Sequence, residues 1–142
     1  MSGESERVRK VAAVLVRDGA AGLEVLVFEH PQDGGGTFRQ LPAGTAEPGE
    51  APEAAVVREL IEETGVLGAV EALAGVIDEE FEGEARRRWV YVMRSLEDGL
   101  DEWPYECDCG AAVRCVWVPL EASVHPGQQA WLDVGRAWLT RG

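Results

Sequence analysis

Cationic residues are scarce in this 142-residue sequence. Lys and Arg number 13 against 26 Asp and Glu, which gives a formal net charge of −13 at pH 7. Proteins that bind a nucleic-acid backbone usually present a basic patch, so we do not expect polymeric nucleic acid as a partner. A small anionic substrate is compatible with this charge if a cation receives it.

Long hydrophobic runs are also absent. The longest apolar runs, residues 11–16 and 25–28, fall far short of the ~20 residues that a membrane span requires. Residues 1–10 are polar and do not resemble a secretory signal. We therefore expect a cytoplasmic protein with no membrane partner.

Cysteine and histidine are few. The cysteines are Cys107, Cys109 and Cys115, and the histidines are His30 and His125. An odd number of cysteines in a chain of this size favours incidental thiols in a reducing compartment. The pair Cys107 and Cys109 suggests zinc as an alternative, but a structural zinc site uses four ligands at typical spacings.

The length and a hydrophobic content of 46% are typical of one domain, which we predict over residues 1–142. Apolar patterning predicts strands over residues 8–17, 23–28, 70–77, 88–93 and 113–118, a short extended segment over 37–41, and helices over 51–64 and 127–139. The acidic stretch 97–110 is predicted to be a loop. Strands interleaved with two helices predict an α/β fold with a mixed sheet between helices.

The helix over residues 51–64 is predicted from apolar residues at helical spacing. Gly65 follows it as a stop residue. The residues expected to face the core are Ala54, Val57, Leu60, Ile61 and Thr64.

Three glutamates of this helix, Glu59, Glu62 and Glu63, lie at i, i+3 and i+4, within one arc of about 100° opposite the apolar face. A solvated acidic face is one interpretation. However, Glu59 and Glu63 are like charges one turn apart, and no Lys or Arg stands four residues from either. Carboxylate oxygens without such partners favour a hard divalent cation such as Mg²⁺, so a metal site is the second interpretation.

The residues around these glutamates follow a longer pattern. It runs Gly44, five residues, Glu50, seven residues, Arg58-Glu59-Leu60, one residue, Glu62-Glu63, one residue and Gly65-Val66. This pattern over residues 44–66 resembles the Nudix box, the signature of the Nudix hydrolase family, with every defining position filled. Multiplying the residue frequencies gives a probability on the order of one in ten million that a sequence window matches this pattern by chance, so the resemblance is specific.

The resemblance implies a Nudix-type α/β/α sandwich with a central mixed β-sheet. It also implies a metal-dependent pyrophosphohydrolase that cleaves a nucleoside diphosphate linked to another moiety, by attack of water on phosphorus. In such an enzyme Glu59, Glu62 and Glu63 bind Mg²⁺ or Mn²⁺, together with the backbone carbonyl of Gly44. The metal lies between the carboxylates and the phosphates, which otherwise repel each other.

The remaining box residues have structural interpretations. Gly44 allows a tight turn, and Glu50 enters beside a helix N-terminus, where negative charge is favoured. Arg58 is expected to reach back to Glu50 as an ion pair and so to belong to the catalytic set, with a plain surface arginine as the alternative. Gly65 ends the helix.

Several carboxylates are candidates for the general base. Glu63 or Glu62 could activate the water, whereas several relatives use a glutamate in a later loop. Glu106 is the candidate at that place in this chain. The residues that compete with it are Glu79, Glu80 and Asp108. For each of these four residues, a solvated surface charge is the alternative interpretation.

Arginines and aromatic residues are the candidates for substrate contacts. The candidates for a phosphate contact are Arg39, Arg86 and Arg88. Glu82 and Glu84 could instead form ordinary ion pairs with Arg86 and Arg88. The aromatic residues that could stack on a base are Phe38, Phe81, Trp103 and Tyr105, and those expected in the core are Trp89, Trp117, Trp131 and Trp138.

Departures from the common pattern leave the substrate open. Many relatives begin the box with two glycines and a basic residue, where this chain has Ala43-Gly44-Thr45. The Pro or Tyr that marks some subgroups roughly 15 to 18 residues past the box is absent from residues 81–84. The alternatives to catalysis are a Nudix-like nucleotide sensor, which usually loses box glutamates, and a carboxylate-rich calcium protein, which would need another loop pattern. The family resemblance also favours a homodimer.

Overall fold

Strands make up most of the described fold, together with two α-helices. The computed structural model describes residues 7–32, 34–97, 99–106 and 112–141. The strands are β1 (Val8–Gly19), β2 (Gly22–Pro31), β3 (Thr37–Gln40), β4 (Ala43–Thr45), β5 (Gly68–Phe81), β6 (Glu84–Ser95), β7 (Glu102–Glu106) and β8 (Ala112–Pro119). The helices are α1 (Pro52–Thr64) and α2 (Gln129–Leu139), and a 3₁₀ turn, Pro126–Gln128, precedes α2. Within these residues no helix is long and apolar enough to cross a membrane.

The described strands form one eight-stranded sheet in the order β5-β6-β1-β2-β8-β7, with β3 paired to β2 and β4 paired to β1. β1 and β6 run parallel, whereas β1 and β2 run antiparallel, so the sheet is mixed. α1 contributes to the hydrophobic cluster on one face of the sheet, and α2 contributes to the cluster on the other. The predicted α/β/α sandwich is therefore confirmed.

The central strand β1 serves both layers of this sandwich. Successive side chains of a strand point to opposite faces, so alternate residues of β1 enter different cores. Those packed with α1 are Val11, Ala13 and Leu15, and those packed with α2 are Ala12, Val14 and Val16. All six are buried, which makes β1 the shared wall between the two layers.

The buried face of α1 differs from the one predicted. Its buried residues are Ala55, Val56, Leu60 and Thr64. The prediction that Ala54, Val57 and Ile61 face the core is therefore wrong for Ala54 and Ile61, which are exposed, and only partly right for Val57. Compared with the prediction, the buried face is shifted toward the side that carries Glu59 and Glu63, where both side chains contact β4. Two of the three box glutamates consequently face protein.

The predicted loop over residues 97–110 is wrong at its centre, where β7 pairs antiparallel with β8. Pro104 and the six acidic residues of 97–110 gave this segment a loop-like composition. A proline is tolerated on an edge strand, where its missing N–H faces no partner, and β7 lies at the edge of the sheet. Residues 107–110, including Cys107, Cys109 and Asp108, lie outside the described residues.

Arg88, predicted as a phosphate contact, is instead part of the core on the α2 side. Its side chain is only 5% exposed, and its guanidinium lies 3.7 Å from the ring centroid of Trp131. It donates to Glu79 at 2.6 Å and to the carbonyl of Val11 at 2.9 Å. Burial is the main cause that lowers the pKa of Arg88, and the pair with Glu79 opposes it. The glutamates of α1 are on the opposite face of the sheet.

Cys115 is a buried thiol on β8. Burial, and then the nearby charge of Glu63, raise its pKa to about 12. A thiol with so high a pKa is a poor nucleophile and metal ligand, which agrees with the interpretation of this cysteine as incidental.

The close approach of α2 to β1 depends on Gly135. A Cβ atom at this position would lie 2.7 Å from a methyl carbon of Val14, which is fully buried and stiff. Alanine in place of a helical glycine normally stabilises a protein by about 1 kcal/mol. Overpacking of a well-filled core costs about 1–3 kcal/mol, so the steric effect should exceed the gain in propensity.

We therefore expect Gly135→Ala to lower the melting temperature by a few degrees in thermal unfolding monitored by circular dichroism. Ala137→Gly, an exposed position of the same helix, calibrates the propensity effect. A Gly135→Ala variant as stable as the wild type would show that α2 can move away from β1 without penalty.

Candidate active site

The loop between β4 and α1 is held by Arg58. The Arg58 guanidinium donates from Nε at 2.9 Å and from Nη2 at 2.8 Å to the two carboxylate oxygens of Glu50. The same Nη2 also donates to the carbonyl of Thr45 at 3.1 Å. Because the planar fork engages both oxygens, it fixes the direction of the loop as well as its distance from the helix.

Glu50 is kept ionised by this arrangement. Its carboxylate accepts from Arg58 and from the backbone N–H of Glu47 at 2.9 Å. These hydrogen bonds, with Arg58 first, lower the pKa of Glu50 to about 2. The pKa of Arg58 is raised in turn, with Glu50 as the first cause and Glu62 and Glu59 contributing.

Arg9 is a second support of the loop that the sequence did not reveal. Its guanidinium donates to the carbonyl of Glu50 at 2.7 Å and to the carbonyl of Glu47 at 2.8 Å. Arg9 lies on β1, far from the box in sequence, so only the pairing of β1 with β4 brings it there. No local spacing rule could have predicted this contact.

Glu59 packs against the backbone of Gly44. A Cβ atom at Gly44 would lie 2.1 Å from the Glu59 carboxyl carbon, so this approach requires glycine. The Glu59 side chain is 18% exposed. Burial, the largest cause, raises its pKa, and the hydrogen bond from Arg58 opposes that effect. A partly desolvated carboxylate of this kind gains from a nearby cation.

Glu63 and Glu62 occupy the last turn of the helix in different environments. Oε1 of Glu63 accepts from the backbone N–H of Ala43 on β4 at 2.9 Å. Glu62 is 48% exposed, and its carboxylate lies 3.0 Å from Nη1 of Arg58. The same nitrogen lies 3.0 Å from Glu59, so the expectation that Glu59 has no cationic partner is wrong: its sequence neighbour supplies one.

The carboxylates of the three box glutamates do not form a compact group in this structure. Across the described ranges, no group of three His, Cys, Asp or Glu side chains is arranged as a preformed metal site. Instead, the Arg58 guanidinium bridges Glu59 and Glu62, which shows that both carboxylates can orient toward one positive charge. Gly44 belongs to β4, and the Glu59 side chain packs against its Cα.

A pocket of about 120 Å³ lies beside the last turn of α1. Its lining residues are Phe28, His30, Gln40, Glu62, Glu63, Tyr105 and Val113. Apart from the two glutamates, this lining is aromatic, aliphatic or amide. Tyr105 was a candidate for stacking on a base, whereas the other uncharged residues of the pocket come from β2, β3 and β8 and carry no sequence signal of their own.

The other predicted site residues lie away from this pocket. Arg39 pairs with Glu29 at 3.3 Å and lines a separate depression with His125. Arg86 pairs with Glu84 at 2.7 Å and lies over the ring of Phe81. These two arginines thus have protein partners where substrate contacts were predicted.

The described candidate bases outside the box, Glu79, Glu80 and Glu106, are not part of the pocket lining. Glu106 is exposed at the end of β7, and strand alternation directs it to the face opposite Tyr105. Glu79 pairs with the buried Arg88, and Glu80 is exposed on β5. Glu62 and Glu63 are the carboxylates that line the pocket.

Comparison with known proteins identifies the family. The model of the NUDIX domain family matches residues 6–138, so the chain belongs to the Nudix family. It is 36% identical over 100 residues to a Mycobacterium tuberculosis (strain CDC 1551 / Oshkosh) protein provisionally named mutator protein MutT4, covering 68% of this chain and 38% of that protein. It is 31% identical over 84 residues to diphosphoinositol polyphosphate phosphohydrolase 3-alpha of Mus musculus, covering 59% of this chain and 49% of that protein.

Solved structures agree with this family. A NUDIX hydrolase from Nitrosomonas europaea matches with a TM-score of 0.70 and 25% identity, covering 93% of this chain and 90% of that one. The alignments with the two curated relatives span less than half of the length of each relative. The family and the fold are therefore shared, whereas the substrate has to be argued from the site itself.

The Glu50 carboxylate predicts a specific dependence of stability on pH. A carboxylate whose pKa is lowered on folding stabilises the protein above its unfolded pKa, and this contribution is lost as the pH falls through the folded value. For Glu50 the window runs from 4.5 down to about 2. The wild type should therefore melt at a higher temperature than Glu50→Gln at neutral pH, and the difference should shrink across this window.

Thermal unfolding of both proteins between neutral pH and about pH 2 tests this expectation. Glu47→Gln, an exposed position in the same loop, controls for a general effect of removing one negative charge. A difference between the wild type and Glu50→Gln that stays constant with pH would contradict the assigned role.

Proposed function

We propose that this chain is a metal-dependent pyrophosphohydrolase that cleaves a nucleoside diphosphate linked to another moiety. The observation that carries the proposal is the position of the box carboxylates: Glu59 is half-enclosed against Gly44, while Glu62 and Glu63 line the adjacent pocket. Membership in the Nudix family and the phosphohydrolase name of a relative support the same reaction class.

The donors around α1 suit Mg²⁺ or Mn²⁺. Carboxylate and carbonyl oxygens are the ligands that such hard cations prefer, and Glu59, Glu62, Glu63 and the Gly44 carbonyl supply them. When bound, the cation would neutralise charge on the diphosphate and help to deprotonate water. The rise in the pKa of Glu59 through burial also supports a cation here, because a partly desolvated carboxylate is otherwise unfavourable.

The protein side chains would then position the carboxylates and accept the proton from water. Arg58 holds Glu50, Glu59 and Glu62 in a fixed relation. Glu63 is oriented by the N–H of Ala43, and Glu62 is the more exposed of the two pocket carboxylates. Either can accept the proton of a water molecule in the pocket as the water oxygen attacks a phosphorus of the diphosphate; the bond from that phosphorus to the bridging oxygen then breaks, and the phosphate that carries this oxygen leaves.

The uncharged part of the pocket favours the nucleoside as the recognised group. Phe28, His30 and Tyr105 offer aromatic surface, and Gln40 offers an amide that can pair with the edge of a base. The arginines on the neighbouring strands, Arg39 and Arg114, both pair with Glu29. A substrate with many phosphates, such as a diphosphoinositol polyphosphate, would therefore find little positive charge, so we expect a preference for substrates with one diphosphate or triphosphate group.

The first test is the release of nucleotide and phosphate from a panel of nucleoside triphosphates, dinucleoside polyphosphates, sugar nucleotides and diphosphoinositol polyphosphates, with Mg²⁺ or Mn²⁺ or with chelator. We expect turnover of nucleotides that the chelator abolishes. Glu63→Gln, Glu62→Gln and Glu59→Gln should each lower kcat by about 10²-fold or more, because each removes a carboxylate needed for the proton or the metal. Glu53→Gln, on the first turn of the same helix, is the matched control and should leave kcat unchanged.

The outcomes separate the candidate functions. Turnover that is indifferent to all three substitutions would contradict the proposed chemistry. Nucleotide binding without turnover of any compound would support the Nudix-like sensor instead, and calcium binding without either would support a calcium protein.

Gly44→Ala provides a second test that spares every carboxylate. The new methyl group would overlap the Glu59 side chain, which can move because it is flexible, so the fold should survive. We expect a melting temperature within a few degrees of the wild type and Mn²⁺ binding weaker by about 10- to 100-fold, measured by electron paramagnetic resonance.

Gly19→Ala is a matched control for this variant. It would place a Cβ atom 2.5 Å from the Glu24 carboxyl carbon at the tip of the β1–β2 hairpin, which reproduces the same clash away from the box. If Gly44→Ala bound Mn²⁺ as tightly as Gly19→Ala, the packing of Glu59 on Gly44 would have no role in the metal site.

A further inference from the structure

The last turn of α1 concentrates unfavourable electrostatics. The carbonyl end of a helix carries partial negative charge, and carboxylates near it are destabilising. Glu62 and Glu63 lie in this turn, which contains no basic residue. The final carbonyls of a helix also lack intrahelical partners and must find donors elsewhere. A helix end of this composition would fray unless other parts of the protein held it.

Two side chains of β7 supply donors to this turn. The indole Nε1 of Trp103 donates to the carbonyl of Thr64 at 3.2 Å. The hydroxyl of Tyr105 donates to the carbonyl of Glu62, one of the box glutamates. Because residues i and i+2 of a strand share a face, β7 presents both donors to the helix at once.

The strand that carries these donors is itself well anchored. In the β7–β8 pair, Trp103 lies opposite Cys115 and Tyr105 opposite Val113, and both partners are buried. Pro104 stands between the two donors and restricts the backbone torsion of the segment. The strand therefore holds the two side chains against α1 from a fixed base.

We propose that Trp103 and Tyr105 form a clamp that positions Glu62 and Glu63 for metal binding and catalysis, with Tyr105 as the decisive member. This inference rests on the proposed function. The Tyr105 hydroxyl fixes the backbone of Glu62, while its ring lines the same pocket as both glutamates. Tyr105 is a positioning residue: it acts on the reaction through the carboxylates and through the wall of the pocket.

The clamp makes a distinct kinetic prediction. Tyr105→Phe removes the hydroxyl and keeps the ring, so the pocket wall is preserved while the helix end is released. We expect kcat to fall about three- to tenfold and Mn²⁺ binding to weaken by a similar factor, which is the range for loss of one hydrogen bond. KM for the nucleotide should stay unchanged because the ring remains. Tyr91→Phe removes the other tyrosine hydroxyl of the chain, at a buried position outside the clamp, and should leave all three quantities unchanged.

Hydrogen exchange tests the clamp without substrate or metal. The amides of Gly65 and Val66, which bond to the carbonyl of Ile61 and to the hydroxyl of Thr64, close the end of the helix. They should exchange about three- to tenfold faster in Tyr105→Phe than in Tyr91→Phe or the wild type. Trp103→Phe should accelerate the same amides, because it removes the second donor.

Each outcome bears on the inference. Unchanged exchange in Tyr105→Phe overturns the clamp, and faster exchange with unchanged Mn²⁺ affinity and kcat overturns its positioning role. A wild type without turnover means that the proposed function has failed, and Mn²⁺ affinity and exchange then decide the clamp alone. A wild type that does not bind Mn²⁺ overturns the positioning for metal, whatever the exchange shows.

Discussion

One guanidinium group joins the parts of the candidate site. The five N–H donors of Arg58 meet the carboxylates of Glu50, Glu59 and Glu62 and the carbonyl of Thr45. Without this cation, the loop would lose its attachment to α1 and the glutamates would repel each other. A lysine could not replace it, because an ammonium group has no planar fork. The site therefore combines a negative surface with a guanidinium counter-charge that contacts three of its carboxylates.

Backbone groups of β4 and side-chain donors of β7 add to the contacts that Arg58 makes. β4 contributes the space above Gly44 and the N–H of Ala43, so a three-residue strand shapes the environment of two glutamates. β7 contributes donors to the helix end from the other side. The half of α1 that bears the carboxylates is thus held by two strands. These contacts supply hydrogen-bond donors to the Glu63 carboxylate and to the carbonyls of Glu62 and Thr64.

Sequence reasoning located the box, the bounds of α1 and the sandwich, because these depend on local spacing and periodicity. It failed where contacts join distant segments. Arg9 reaches the loop through the pairing of β1 with β4, and the bond from the Tyr105 hydroxyl to the carbonyl of Glu62 depends on the place of β7 in the sheet; the sequence around these residues indicates neither contact. Arg88 was predicted to contact phosphate, because the sequence does not distinguish an exposed arginine from a buried one that stacks on a tryptophan. The burial of Glu59 likewise depends on β4, a strand too short for a periodic signal.

The alternation of β1 between two layers constrains how this chain can change over generations. The side chains of β1 alternate between the two layers with a period of two residues. A deletion or insertion of one residue between Val11 and Val16 would therefore exchange the side chains that face α1 and α2. Point substitutions in this strand can be accommodated one at a time, whereas a change in length would scramble both layers together. Length variation among descendants of this protein should consequently accumulate at hairpin tips such as residues 20–21, where one added residue leaves both layers in register.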